Sequence, residues 1–185
     1  SSPVVDATWT AQRCLIRLEQ GRAAEVVDLA TECAEHLPAF PAWRALMAVL
    51  LWQAGEEQAA QQAFRKVVRE DIAKHPRINT WRAGMHCVGV MSIALADAEV
   101  ARRVYGLLLP SRGVLDWFGG GSFGPTDLIL GRLAAFLGDE PAARAHLQAS
   151  VEMCRRIGAR AYLVHSLAAF STDGLDRGAP GRPMR

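Results

Sequence analysis

Three observations predict an all-α fold built from repeated helix–turn–helix units. An indole and a glycine recur at one spacing, because Trp9 and Trp43 are 34 residues apart and so are Gly21 and Gly55. Apolar residues return every three or four positions along most of the chain, which is the period of amphipathic helices. Alternating runs of Val, Ile and Thr, the usual signal of strands, are almost absent.

Prolines, glycines and capping residues divide the chain into nine predicted helices. They span residues 3–20, 23–37, 41–54, 56–74, 80–95, 97–109, 125–137, 139–157 and 160–170. A 34-residue period is that of tetratricopeptide units. We therefore predict a right-handed, tetratricopeptide-like stack of about four antiparallel helix pairs with a ninth, capping helix. Residues 1–170 form the predicted repeat domain, and residues 171–185, rich in Gly, Pro and Arg, form a predicted flexible tail.

Composition argues against several classes of function. A formal net charge of +2 provides no electrostatic case for nucleic acid or a membrane surface as the partner. No apolar run reaches the roughly 18 residues of a spanning helix, and no signal peptide is visible. The cysteines are scattered and form no Cys-x-x-Cys pair, so we expect buried, reduced thiols in a cytoplasmic protein. They are Cys14, Cys33, Cys87 and Cys154.

The residues that usually carry catalysis or bind metals form no recognisable motif. The histidines lie on different predicted helices or in a turn, without His-x-x-x-His or His-Glu-x-x-His spacing, so we expect no metal site and no cofactor. They are His36, His75, His86, His146 and His165. Ser122 and Ser166 lack a Gly-x-Ser-x-Gly elbow. Carboxylates such as Glu56 and Asp139 lie where helix N-termini favour negative charge. We predict that this chain is not an enzyme.

The stretch from Asp116 to Pro125 has the most unusual local composition, with Gly119-Gly120-Gly121 at its centre. A phosphate-binding loop normally follows a strand and ends in Gly-Lys-Ser/Thr, and neither feature is predicted here. Three interpretations stay open. The stretch is a flexible connection, or its aromatic residues tuck back between repeats, or they anchor a partner. The aromatic residues are Trp117, Phe118 and Phe123.

A basic cluster is the second candidate for a binding surface. Arg155, Arg156 and Arg160 lie close together in the sequence, and three arginines follow in the predicted tail. The cluster could contact phosphate or an acidic partner, although a solvated helix face with a soluble tail is the favoured interpretation.

Several segments in one order resemble a known family. They are Tyr105-Gly-Leu-Leu-Leu-Pro110, Phe123-Gly-Pro125, Leu137-Gly-Asp139, Arg155-Arg-Ile-Gly-Ala-Arg160 and Leu37-Pro-Ala-Phe-Pro-Ala-Trp-Arg-Ala-Leu46. Together they resemble the C-terminal tetratricopeptide-like region of large bacterial STAND/AAA-ATPase regulators, over about residues 12–170. Members carry a LuxR-type helix-turn-helix or a class III adenylate/guanylate cyclase domain elsewhere. The third unit departs from the pattern, because Ala96 replaces the turn glycine and Trp81 is displaced.

The resemblance implies a regulatory role. It suggests a sensor or protein-interaction domain that binds a protein, another domain of the same polypeptide or a small effector in a concave groove. The ATPase and cyclase motifs are absent from these residues, so that chemistry is not assigned to them. Two alternatives stay open: a stand-alone small-molecule-binding or catalytic domain that uses the loop 116–124, and a scaffold that forms a homodimer.

Overall fold

The computed structural model describes residues 3–38, 40–70 and 80–171, with side chains from Asp6 onward. These ranges are mainly helical, which confirms the predicted all-α class. The α-helices are α1 (Pro3–Glu19), α2 (Val27–His36), α3 (Ala42–Gln53), α4 (Glu57–Arg69), α5 (Thr80–Ala94), α6 (Ala98–Leu108), α7 (Thr126–Phe136), α8 (Glu140–Ile157) and α9 (Arg160–Phe170). Two short strands, β1 (Leu115–Trp117) and β2 (Ser122–Pro125), form one sheet between α6 and α7.

The predicted helix boundaries agree with the structure to within a few residues where they can be compared. The second predicted helix opens as a 3-10 helix over Ala23–Val26 before α2 begins. The predicted end of the fourth helix beyond Glu70 and the cap at Asn79 lie outside the described residues, and so does the predicted tail after Ser171. The predicted caps of α6 and α8 are confirmed, since Asp97 accepts from the Val100 amide and Asp139 from the Ala142 amide.

The same turn joins the two helices of four successive pairs. A residue with positive φ ends the first helix, and the amide of the next residue donates to the carbonyl five positions earlier, which is the Schellman motif. The positive-φ residues are Gly21 (67°), Gly55 (87°), Ala96 (54°) and Gly138 (82°). The hydrogen bonds are Arg22 to Arg17 (2.8 Å), Glu56 to Leu51 (2.9 Å), Asp97 to Ser92 (2.8 Å) and Asp139 to Ala134 (2.9 Å). The predicted glycine turns are thereby confirmed, and Ala96 adopts the glycine conformation despite its β-carbon.

A second repeated pattern surrounds these turns. In all four helix pairs, two positions near the turn hold a small or medium-sized buried residue. One lies seven residues before the residue with positive φ, and the other lies five residues after it. In chain order, the residues at these two positions are Cys14 and Val26, Ala48 and Ala60, Gly89 and Ala101, and Gly131 and Ala143. In the last pair a β-carbon on Gly131 would lie 2.6 Å from Leu147 Cγ and 3.3 Å from the Ala143 carbonyl oxygen. The two helices therefore approach as closely as their backbones allow.

The described chain divides into two compact units. In the first, which contains α1–α4, most of α5 and residues 117–122, α1 packs on α2 and α3, α2 on α3, and α3 on α4. In the second, which contains α6–α9, each helix packs on the next and α7 also packs on α9. Leu128, Leu147 and Ala169 form a core cluster in the second unit, with Phe170 against it. The assignment of residues 1–170 to one domain stays a prediction.

The two tryptophans that revealed the repeat lie in different surroundings. Trp43 is buried in α3, which packs on both α2 and α4, whereas Trp9 in α1 is 54% exposed. The Arg13 guanidinium lies 4.6 Å from the centre of the Trp9 ring. The indole period thus marks equivalent helix positions, and burial depends on whether a neighbouring helix covers them.

All four cysteines are free thiols, as predicted. Three are buried, but Cys33 is half-buried. None of the helices in the described ranges has both the length and the apolar character that a membrane-spanning segment requires.

Candidate functional site

The glycine-rich stretch forms a β-hairpin. Strands β1 and β2 pair, and the Phe118 amide donates to the Gly121 carbonyl at 3.1 Å across the turn. Gly119 has a φ of 86°, and a glycine with positive φ at the first turn position is typical of a type II′ hairpin. The expectation that no strand precedes the glycines is therefore wrong. A strand does precede the glycines, but the turn leads into a second strand, so it cannot present amides as a phosphate loop at a helix N-terminus does.

The tip of the hairpin packs against α1. A β-carbon on Gly120 would lie 3.2 Å from the Thr8 carbonyl oxygen and 3.4 Å from Ala11 Cβ. A β-carbon on Gly121 would overlap the Leu15 side chain. The absence of side chains at these two positions thus allows the hairpin backbone to lie directly on the helix.

The three predicted aromatic anchors have different environments. Trp117 is 57% exposed, whereas Phe118 and Phe123 are half-buried and have contacts in the fold. The structure thus directs only Trp117 largely into solvent. An exposed indole in a hairpin is a large amphipathic surface held at low conformational cost, which suits recognition of a partner.

The base of the hairpin is held by contacts within the second unit. The Thr126 amide donates to the Val114 carbonyl at 2.9 Å. Gly124 has a φ of 88°, and a β-carbon there would lie 2.8 Å from Tyr162 Cδ1 of α9. Gly124 therefore has to be glycine for two reasons, its backbone conformation and its contact with the tyrosine ring.

Asp127, His146 and Tyr105 form a hydrogen-bonded chain that the sequence analysis did not predict. Asp127 Oδ1 lies 2.7 Å from His146 Nδ1, and Tyr105 Oη lies 3.2 Å from His146 Nε2. The other carboxylate oxygen, Oδ2, accepts from the Gly113 amide at 2.6 Å. The chain therefore joins α6, α7 and α8 to the turn that leads into the hairpin.

The electrostatics of this chain favour an ionised Asp127. Burial of the carboxylate acts to raise its pKa, but the hydrogen bonds from His146 and Gly113 and the charges of His146 and Arg112 outweigh it, so the pKa lies below its usual value. Burial and the nearby Asp139 raise the pKa of Tyr105. An ionised carboxylate only accepts hydrogen bonds, so His146 Nδ1–H donates to it.

The order of a hydroxyl, an imidazole and a carboxylate is that of a catalytic triad, in which a base activates a nucleophile and a carboxylate orients the base. The resemblance is limited to this order. A catalytic chain ends in a hydroxyl or thiol with a pKa matched to its task, whereas the hydroxyl here is a phenol whose pKa is raised. Both carboxylate oxygens of Asp127 form hydrogen bonds to neighbouring elements, one to His146 of α8 and one to the Gly113 amide. The chain is best described as a structural clamp that positions the root of the hairpin.

The buried serines have structural roles as well. Ser166 Oγ donates to the Tyr162 carbonyl at 2.7 Å and lies 2.8 Å from Ser150 Oγ, with Cys154 Sγ 3.9 Å away. Since the Ser166 proton goes to its own helix, Ser150 donates to Ser166. The hydrogen bond between the two serines joins α9 to α8, and each buried hydroxyl group has a partner.

The arginine cluster is spread over the end of α8 and the start of α9. Arg155, Arg156 and Arg160 are all exposed. No acidic side chain in the described ranges is within salt-bridge distance of any of the three. The remaining arginines of the predicted cluster, Arg177, Arg182 and Arg185, lie outside the residues that the structure describes.

Among the described residues, no group of three His, Cys, Asp or Glu side chains is arranged to hold a metal ion. Comparison of the chain with protein-family models, with curated proteins and with solved structures gives no match.

Proposed function

We propose that this chain is a non-catalytic, tetratricopeptide-like interaction module of a larger bacterial signalling or transcriptional regulator. The recurrence of one Schellman turn, and of two small or medium-sized buried residues at fixed positions around it, in four helix pairs carries the proposal. Repeats of this kind cannot bury their apolar faces alone, so they stack and present an extended surface. A cytoplasmic location belongs to the same proposal and is supported by the four free thiols.

We infer that the partner is a protein or another domain of the same polypeptide. We also infer that Trp117 of this chain makes the main contact with that partner. Near the hairpin root, both carboxylate oxygens of Asp127 are engaged in the clamp, one with His146 and one with the Gly113 amide. A small effector bound between the hairpin tip and α1 is disfavoured, because Gly120 and Gly121 leave no room there for even a methyl group.

Dimerisation is the second candidate, and one observation favours it. Trp9 and Ile16, seven residues apart on one face of α1, are each 54% exposed. Two such faces could pair between copies of the chain. Sedimentation equilibrium of the wild type and of the Trp9→Ala/Ile16→Ala variant would reveal a dimer that depends on this face.

Site-specific photocross-linking in the native host tests the interaction proposal. A photoreactive phenylalanine analogue would replace Trp117, and the exposed Glu99 of α6 would be the matched control position. We expect a discrete cross-linked protein, or an intramolecular cross-link to another domain, at position 117 and not at position 99. The same products from both positions, or none from position 117, would contradict the proposal.

The assignment to a larger regulator has its own test. The coding sequence on both sides of this segment should encode an ATPase with a phosphate-binding loop, together with a helix-turn-helix or a nucleotide cyclase domain. Start and stop codons that closely flank the segment would refute this part of the proposal and leave the interaction module to act alone.

A further inference from the structure

Helix α9 carries an apolar surface that the proposed function does not use. Val164 is 65% exposed and Leu167 is 46% exposed, and Ala161 and Ala168 beside them are exposed too. These four residues lie at helical spacings of three and four, and so form one stripe. We call this stripe, with Arg160 at its N-terminal end, the α9 outer face.

The other helices of similar composition are covered on more than one side. In α7, eight of eleven residues are buried, and this helix packs on α6, α8 and α9. Helix α3 packs on both α2 and α4. In α9, also eleven residues long and rich in apolar residues, only Ser166 and Ala169 are buried. A helix that is apolar on all sides is normally covered on all sides. The α9 outer face is therefore a surface that a further structural element could cover.

The Lys, Arg, Asp and Glu residues of α9 and of the last turn of α8 have one sign. The sequence of α9 contains Arg160 and no Asp or Glu, and the last turn of α8 adds Arg155 and Arg156. None of these three arginines pairs with an acidic group in the described part of the chain. In the sequence, Ile157, which is 48% exposed, lies between Arg156 and Arg160. The face is therefore an apolar stripe with a basic rim.

We propose that the α9 outer face binds an acidic amphipathic helix of a protein partner. The ridges formed by residues three and four apart accept the apolar side chains of a second helix. Carboxylates that flank the partner's apolar stripe would pair with Arg156 and Arg160. This binding site does not use Trp117, so its test is independent of the cross-linking experiment above.

Two synthetic peptides of about 20 residues, long enough to become helical on binding, provide the probe. Both have Leu at i, i+3, i+4 and i+7, and the flanking positions are Glu in one and Lys in the other. Fluorescence anisotropy with the whole chain measures binding. We expect the Glu peptide to bind at least about tenfold more tightly than the Lys peptide, and its affinity to fall with added salt.

Variants show whether the α9 outer face is responsible. Val164→Glu with Leu167→Glu, and separately Arg156→Glu with Arg160→Glu, should each weaken Glu-peptide binding by about tenfold or more. Val114→Glu is the matched control, because Val114 is an exposed aliphatic residue that lies on neither α9 nor the α1 face. Circular dichroism of each variant verifies that it is folded. Since the substituted side chains are exposed, we expect native helicity.

Several outcomes would overturn the proposal. Equal affinity for the two peptides, no binding of the Glu peptide, or equal weakening by Val114→Glu would each show that the face is not selective. A dimer in sedimentation equilibrium that Val164→Glu abolishes would assign the face to a second copy of the chain. Displacement of the Glu peptide by anionic phospholipid vesicles, but not by neutral ones, would assign it to a lipid surface.

Discussion

Gly131 lies so close to Leu147 that a β-carbon on the glycine would be only 2.6 Å from the Cγ of the leucine. The contact joins α7 to α8, one of the four helix pairs that share the same Schellman turn. The close approach of these two helices leads to the first prediction.

Gly131→Ala should lower the free energy of unfolding by about 1–3 kcal/mol, because the added methyl group overpacks a buried contact. Gly106→Ala in α6 is the matched control, since a β-carbon there meets nothing within 4 Å. In that exposed helical position alanine should be neutral or stabilise by up to about 1 kcal/mol. Urea denaturation measures both, and equal effects would argue against the close contact.

Glycine should be more stable than alanine at position 96. Ala96 has a φ of 54°, and the equivalent residue of the other three turns is glycine. Ala96→Gly should raise the free energy of unfolding by roughly 0.5–1 kcal/mol, since the β-carbon strain is removed. Gly55→Ala should lower it by about 1 kcal/mol for the reverse reason. Thermal unfolding checks both signs, and a destabilised Ala96→Gly variant would contradict the turn geometry.

The Asp127–His146 clamp should make stability depend on pH in the acid range. The folded-state pKa of Asp127 is below the value of 3.8 expected for the unfolded chain, so the folded state favours the ionised form. Its contribution is present above about pH 4 and is lost as the pH falls through the lower, folded-state pKa.

Asp127→Asn should therefore cost about 1–3 kcal/mol at pH 7 and flatten the fall in stability between pH 5 and pH 2. The measurement is urea denaturation at a series of pH values. Asp28→Asn in α2, an exposed carboxylate, is the control. An acid-range profile of Asp127→Asn that parallels the wild type would show that the clamp is not ionised.

The thiols should react in a definite order. Burial, together with the nearby Cys33, raises the pKa of Cys14 to about 12, so its thiolate fraction at pH 8 is about one in ten thousand. Burial raises the pKa of Cys33 too, but this thiol is only half-buried. With a disulfide reagent on the native protein, we expect Cys33 to react first, and Cys33→Ser to remove that phase. A fast phase that survives Cys33→Ser would contradict this order.

The helices were predictable because their signals are local. Glycine turns, Asp97 and Asp139 at the caps, and the 34-residue period all act within a few residues of the feature that they specify. The pattern of small or medium-sized buried positions around the turns, such as Ala48 and Ala60, was also present in the sequence, but it becomes recognisable only when the turns provide the alignment.

The site could be predicted only in part, because its contacts join distant residues. The hairpin was missed because each strand is only three or four residues long and glycines dominate the turn, which leaves no alternating pattern. Asp127 and His146 are 19 residues apart on different helices, so no spacing rule links them. The exposure of Trp117 and the half-burial of Phe118 likewise depend on where the hairpin tip packs on α1.

The most direct test of the interaction module is the affinity of the chain for the protein or domain captured at position 117. Isothermal titration calorimetry with purified components would compare the wild type, Trp117→Ala and the control Glu99→Ala. We expect Trp117→Ala to weaken binding by about tenfold or more, with unchanged helicity and thermal stability, and Glu99→Ala to bind like the wild type. Equal affinity of Trp117→Ala and the wild type would contradict the proposal that the hairpin indole anchors a partner.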